Sequence, residues 1–198
     1  MKRIALLISF LALTVPAAYA DDFTSKLDVQ LISGADIPTS KLLANQYTYG
    51  YDFGVGLGYR LTDEFSVMAI VETHSMPGNY GTDAGYVNAD TDSNELALQV
   101  KYMIPTGPIK PFIFAGAGFS FISQHWMYYG TYYDYTYYSS GFLMEGGVGV
   151  DIPLTDQLSV IAQSKGSFVS YSKADASYLG IDSTLTYVPI QLGVDFHI

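Results

Sequence analysis

The chain has 198 residues, no cysteine, 18 tyrosines, 11 phenylalanines and 19 glycines, with 19 acidic residues against nine basic ones and a formal charge of −10. The lack of cysteine removes both a disulfide framework and thiolate metal chemistry. An acidic chain without a basic, aromatic-interleaved stripe argues against a nucleic-acid partner.

At the N-terminus, Lys2 and Arg3 precede an apolar run from Ile4 to Val15, which Ala18, Tyr19 and Ala20 close with small residues at the cleavage positions. This pattern predicts a secretory signal peptide over residues 1–20 and a mature domain over 21–198. Cleavage takes Lys2 and Arg3 away and leaves seven basic against 19 acidic residues, a formal charge of −12. No later window offers the roughly 18 consecutive apolar positions of a membrane helix.

The next signal is a period of two. From Tyr47 to Tyr59, Tyr, Phe, Val and Leu alternate strictly with Thr, Gly and Asp. Aromatic and aliphatic residues on one side and glycines with a carboxylate on the other fit a strand whose apolar side meets lipid and whose small, polar side lines a narrow lumen. Similar runs fall at Lys26 to Ala35, Tyr47 to Arg60, Phe65 to His74, Asn94 to Ile104, Pro111 to Ser123, Gly141 to Ile152, Leu158 to Ser170 and Thr184 to Ile198. Each is near or above the roughly 9 to 11 residues that cross a bilayer as a tilted strand. The fold predicted is all-β, an eight-stranded antiparallel transmembrane up-and-down β-barrel.

Connections after strands two, four and six are short, near Leu61-Thr62-Asp63, Thr106-Gly107-Pro108 and Leu154-Thr155-Asp156, whereas those after strands one, three, five and seven are long and polar. Outer-membrane barrels place short turns in the periplasm and long loops outside, which predicts periplasmic termini. Leu61-Thr62-Asp63-Glu64-Phe65-Ser66-Val67 recurs as Leu154-Thr155-Asp156-Gln157-Leu158-Ser159-Val160, with Asp as the turn former.

Gly56-Leu57-Gly58-Tyr59-Arg60-Leu61-Thr62-Asp63, Pro111-Phe112-Ile113-Phe114-Ala115-Gly116-Ala117-Gly118 and Gly146-Gly147-Val148-Gly149-Val150-Asp151 resemble the small OmpA-like, opacity-type outer-membrane barrels of the porin-like superfamily. The resemblance covers essentially the whole mature chain and implies fold more than function. It implies the outer membrane of a Gram-negative-type bacterium, with outer-membrane lipid and lipopolysaccharide as surroundings. No room remains for the periplasmic peptidoglycan-binding domain of larger relatives. The chain departs from such barrels in ending on His197-Ile198 instead of an aromatic residue, with Phe196 two places early.

With apolar residues outward, the inward rows carry Lys26 and Asp28, Asp52 and Arg60, Glu72 and His74, Glu95 and Lys101, Glu145 and Asp151, Lys165, and Asp195 with His197. An eight-stranded lumen is just wide enough for side chains to fill, so these charges pair or are wet. Three-residue turns at the repeated motif set Glu145 opposite Lys165, a salt bridge, and Asp52 opposite Glu72, two carboxylates that need Lys101 or Lys26 nearby or a shared proton. Inward Gly54, Gly56, Gly116, Gly118, Gly147 and Gly149 open the possibility of wet gaps.

Outside, His125 to Tyr138 holds the only tryptophan, Trp126, and seven tyrosines, Tyr128, Tyr129, Tyr132, Tyr133, Tyr135, Tyr137 and Tyr138. Tyrosine gives rigid amphipathic area at low entropic cost, which suits contact with a host surface or another copy. The alternative is an interfacial aromatic belt on strands extended above the membrane. The segment Asp83 to Glu95 reads as an acidic loop; Asp90-Thr91-Asp92-Ser93-Asn94-Glu95 resembles the start of a calcium loop but has Glu where glycine is required.

An enzyme is not expected. His74 and Ser75 point to opposite faces of a strand, and acid–base use of Asp52 and Glu72 needs substrate access to a narrow lumen. The sequence thus predicts a monomeric, structural and surface-interactive barrel without cofactor or metal, whose acidic and Tyr-rich loops mediate adhesion. The competing expectation is a narrow pore or a path for small solutes.

Overall fold

The computed structural model describes residues 26–39, 49–82, 85–128, 134–172 and 183–198. It contains eight strands: β1 (Leu27–Pro38), β2 (Gly50–Arg60), β3 (Phe65–Thr82), β4 (Gly85–Met103), β5 (Lys110–Tyr128), β6 (Asp134–Pro153), β7 (Leu158–Ser170) and β8 (Thr184–His197). Each pairs antiparallel with its neighbours in chain order, and β8 returns to β1, so the sheet is a closed barrel. Where all eight strands overlap, closure gives each strand a partner on both sides, which is what a lipid environment demands of a spanning chain. The signal-peptide segment, Tyr47 with Thr48, and Tyr129, Tyr132 and Tyr133 lie outside the described residues.

The period-two pattern becomes two faces. Outward stand Tyr51, Phe53, Val55 and Leu57 on β2, and large side chains such as Leu98 and Val148 leave 59 and 60 % of their surface open. Inward stand fully buried charges, Lys165, Glu72 and Asp52 among them. A water-soluble sheet has the opposite arrangement, so the outer band is made for lipid.

The turns sit one residue later than the motif suggested. Leu61 N and Thr62 N both donate to Phe65 O, and Leu154 N and Thr155 N both donate to Leu158 O, so the turn residues are Thr62 to Glu64 and Thr155 to Gln157. Threonine, not aspartate, organises them: Thr62 Oγ1 accepts from Glu64 N and Phe65 N at 3.2 and 3.0 Å, and Thr155 Oγ1 accepts from Gln157 N at 3.2 Å. A one-residue move of a turn shifts every cross-strand partner by two. Asp52 therefore faces His74 while Glu72 faces Gly54, and Lys165 faces Gly147 while Glu145 faces Ser167. The third short turn uses Gly107 at φ +114°, a backbone angle that side chains resist.

The acidic loop is a strand. Asp90, Asp92 and Asn94 point out from β4 while Thr91, Ser93 and Glu95 point in, so no calcium loop forms there. Ladder pairing runs unbroken from Phe65↔Tyr102 to Thr82↔Gly85. Likewise β5 and β6 pair as far as Met127↔Asp134, which takes Trp126, Tyr128, Tyr135 and Tyr137 into strands. Alternation continues through these polar stretches, and it is continuing pairing rather than hydropathy that holds the strand. The barrel is consequently uneven: β3 to β6 have 18, 19, 19 and 20 residues, against 12, 11, 13 and 14 in β1, β2, β7 and β8. The excess lies at the end away from the short turns, where β3 to β6 form a raised rim.

Candidate functional site: the lumen and the rim

Three polar layers fill the lumen. At the short-turn end Arg60 Nε and His197 Nδ1 both approach Asp28 Oδ1, at 3.2 and 2.7 Å, and His197 Nε2 lies 3.1 Å from Ser159 Oγ. Lys101 Nζ is 3.7 Å from Asp195 Oδ2 and sits 4.7 Å above the Phe112 ring. Asp151 is buried near the same end.

In the middle, Lys165 Nζ donates to Glu72 and, at 2.6 Å, to Glu145 Oε2. Gln99 Nε2 donates to Glu145 Oε1 at 2.7 Å, and Gln191 Nε2 to Glu72 Oε1 and Asp52 Oδ1 at 2.7 and 3.0 Å. The cation on Glu72 is thus Lys165, and it is the Gln191 amide that joins Glu72 to Asp52.

Toward the rim, His74 Nδ1 is 3.0 Å from Asp36 Oδ2 and its Nε2 is 3.4 Å from Glu95 Oε2, while Tyr187 donates its hydroxyl to Glu95. Beyond these come Met76, Ile122, Val169 and Leu185, all buried. They place an apolar layer between the ionic layers and the rim.

The lumen is not purely polar, and its glycines are not gaps. A Cβ on Gly56 meets Met68 Sδ at 2.7 Å, and a Cβ on Gly149 meets Phe112 Cζ at 2.3 Å. The glycines make room for large inward side chains, several of them apolar, which corrects the reading of all apolar residues as outward. Two ligand-capable groupings share His74, and Asp36 and Glu95 stand at opposite sides of its ring. Asp36, Gln191 and Tyr187 were missed from sequence. Continuing the β1 alternation from Asp28 through Gln30, Ile32 and Gly34 was the signal that would have found Asp36.

On the outer surface, β4 changes from Val100, Leu98 and Leu96 to Asn94, Asp92 and Asp90, and β5 from Phe119 and Phe121 to Ser123. Thr73 Oγ1 donates to Asn94 Oδ1 at 3.0 Å along this boundary. Just there lies a groove of about 540 Å³ lined by Asn94, Phe121, Ser123, Tyr138 and Ser140. Tyr138 stands 79 % exposed at its edge.

A family model described as outer membrane protein beta-barrel domain matches residues 4–197. Among solved structures, Neisserial surface protein A aligns with TM-score 0.57 at 15 % identity, covering 87 % of this chain and 97 % of that one. A major outer membrane protein from Thermus thermophilus aligns with TM-score 0.58 at 14 % identity, covering 86 and 98 %. The outer membrane protease OmpT from Escherichia coli aligns with TM-score 0.52 at 8 % identity, covering 89 and 98 %. No curated protein sequence matches the chain significantly.

Proposed function

Since the chain belongs to the outer membrane protein β-barrel domain family and resides in the outer membrane, we propose that it is a non-enzymatic scaffold whose raised rim makes surface contacts. The observation that carries this reading is the contrast between a filled lumen and a dressed rim. Lys165, Glu72 and Glu145 are fully buried under an apolar layer, whereas the β5–β6 hairpin presents Tyr138 outward beside the groove. An aromatic wall with a floor of hydroxyl and amide groups suits a sugar or lipid headgroup, and the outward acids Asp90 and Asp92 suit bridging cations of lipopolysaccharide. His74 and Ser75 lie on opposite faces of β3, which supports the non-enzymatic reading.

The test replaces Tyr128, Tyr135, Tyr137 and Tyr138 together by serine and measures adhesion and self-association of cells displaying the variant. Loss of binding with the folded, heat-sensitive gel mobility retained is the expected result. Undiminished binding by such a folded variant would sink the recognition claim.

A narrow pore is the second reading, favoured by the inward polar side chains Asp28, Gln30 and Asp36 along β1 and by the buried Asp52 Oδ2, which accepts no hydrogen bond among the described residues. Single-channel steps in planar bilayers that change with Glu72→Gln would put this reading first; a silent folded barrel leaves the scaffold.

A further inference from the structure

We propose that the seam closing the barrel binds a first-row divalent metal ion, of which Zn²⁺ is the probe, between Asp28 on β1 and Asp195 and His197 on β8. These are the first and last strands of the sheet, and their register puts Asp28 opposite His197 and Gln30 opposite Asp195. One ligand atom from each of the three residues lies within 4.8 Å of the other two. Two carboxylate oxygens and one imidazole nitrogen form a mixed set that suits such an ion better than calcium or magnesium, which prefer oxygen alone.

Two independent observations point to a ligand. Asp195 is 2 % exposed, yet among the described residues its Oδ1 accepts no hydrogen bond, and the same holds for Asp151 Oδ2 at 2 % exposure. Buried carboxylate oxygens without partners call for a missing water or ion. Both side chains, with Asp28 and His197, line a cavity of about 440 Å³ at the short-turn end. That volume admits a hydrated ion from the periplasm.

The imidazole is already set for the role. Ser159 Oγ lies 3.1 Å from Nε2, while Nδ1 faces the Asp28 carboxylate at 2.7 Å. Metal-bound histidines are commonly held this way, with one nitrogen fixed by an outer hydrogen bond and the other on the metal. Binding replaces the Nδ1 proton by the ion; that proton leaves to solvent, and Nε2–H then donates to Ser159. Arg60 and Lys101 occupy one oxygen each of Asp28 and Asp195, Oδ1 and Oδ2 respectively. Asp195 Oδ1 is left to the ion. His74, in contrast, has a carboxylate at both ring nitrogens and no nitrogen to give.

Such an ion would tie together residues 169 positions apart in the chain. It binds the closed barrel and not the open chain, so it raises stability, by an amount that grows with the logarithm of its free concentration above the dissociation constant.

The test uses untagged full-length protein purified from outer membranes in detergent and stripped with chelator. Calorimetric titration with ZnCl₂ is expected to give one site per chain, and saturation to raise the temperature at which the gel mobility shifts. His197→Ala and Asp195→Asn should each weaken binding about tenfold or more, whereas Asp63→Asn, in the same cavity lining, should not. Absence of a stoichiometric site, or equal binding by His197→Ala and Asp195→Asn, overturns the proposal. If those variants fail to assemble, X-ray absorption of the wild-type zinc complex decides: an imidazole nitrogen with oxygens supports the site, and an all-oxygen shell overturns it.

Discussion

Lys165 on β7 reaches across the lumen to Glu72 on β3, a strand that is not its neighbour, while also holding Glu145 on adjacent β6. One ammonium therefore serves two carboxylates, and Gln191 holds Glu72 from the other side. Replacing Lys165 by Met leaves both acids buried without their cation. We expect Lys165→Met to lower unfolding free energy by about 3–5 kcal/mol. Addition of Glu72→Gln and Glu145→Gln should recover part of the loss; denaturant titration of the refolded barrels measures both, and no recovery would show that the three do not act as a unit.

The Phe112 ring occupies the space in front of Gly149. Gly149→Ala should therefore cost about 1–3 kcal/mol by overpacking, and combination with Phe112→Leu should cost less than the sum of the single changes. Additive losses in a thermal gel-shift series would argue that the two do not share one space.

At the repeated turns, the hydroxyls of Thr62 and Thr155 accept backbone hydrogen bonds. Thr62→Val and Thr155→Val should each cost about 0.5–1.5 kcal/mol, and Asp63→Ala less than either. The check is the denaturant midpoint of each variant, with the reverse ranking returning the turn to aspartate.

Arginine scanning of the outer face locates the membrane. Leu98→Arg, within the apolar band, should destabilise by about 2–4 kcal/mol, whereas Tyr138→Arg, above the boundary, should cost about 0–1 kcal/mol. Refolding yield and midpoint in lipid bilayers read this out, and equal costs would displace the boundary drawn at Thr73 and Asn94.

The faces of the strands were legible because period two needs no long-range information: Tyr51 and Phe53 stand out and Asp52 in wherever β2 pairs. Partners were not legible, since they depend on which residue begins a turn, and the choice between Leu61 and Thr62 moved His74 instead of Glu72 opposite Asp52. Strand length was hidden for another reason. Beyond His74 and before Asn94 the outward row turns polar, with Ser75, Asp90 and Asp92, and the contrast that marks a strand fades while its pairing does not. The lumen's deeper contacts join strands that are not neighbours, such as β3 with β7, and no sequence period records them.

The uneven strands give the molecule a front. β5 exceeds β2 by eight residues (19 against 11), a lead of about 26 Å along the strand at roughly 3.3 Å per residue. Among the described residues the outer end is a single flank four strands wide and not a ring, so contact made through these strands is directional, and the heading of each barrel in the plane of the membrane matters. Two copies that turn these flanks toward each other make the same contact twice and stop; copies that all face one way leave a flank unsatisfied and can only continue in a row.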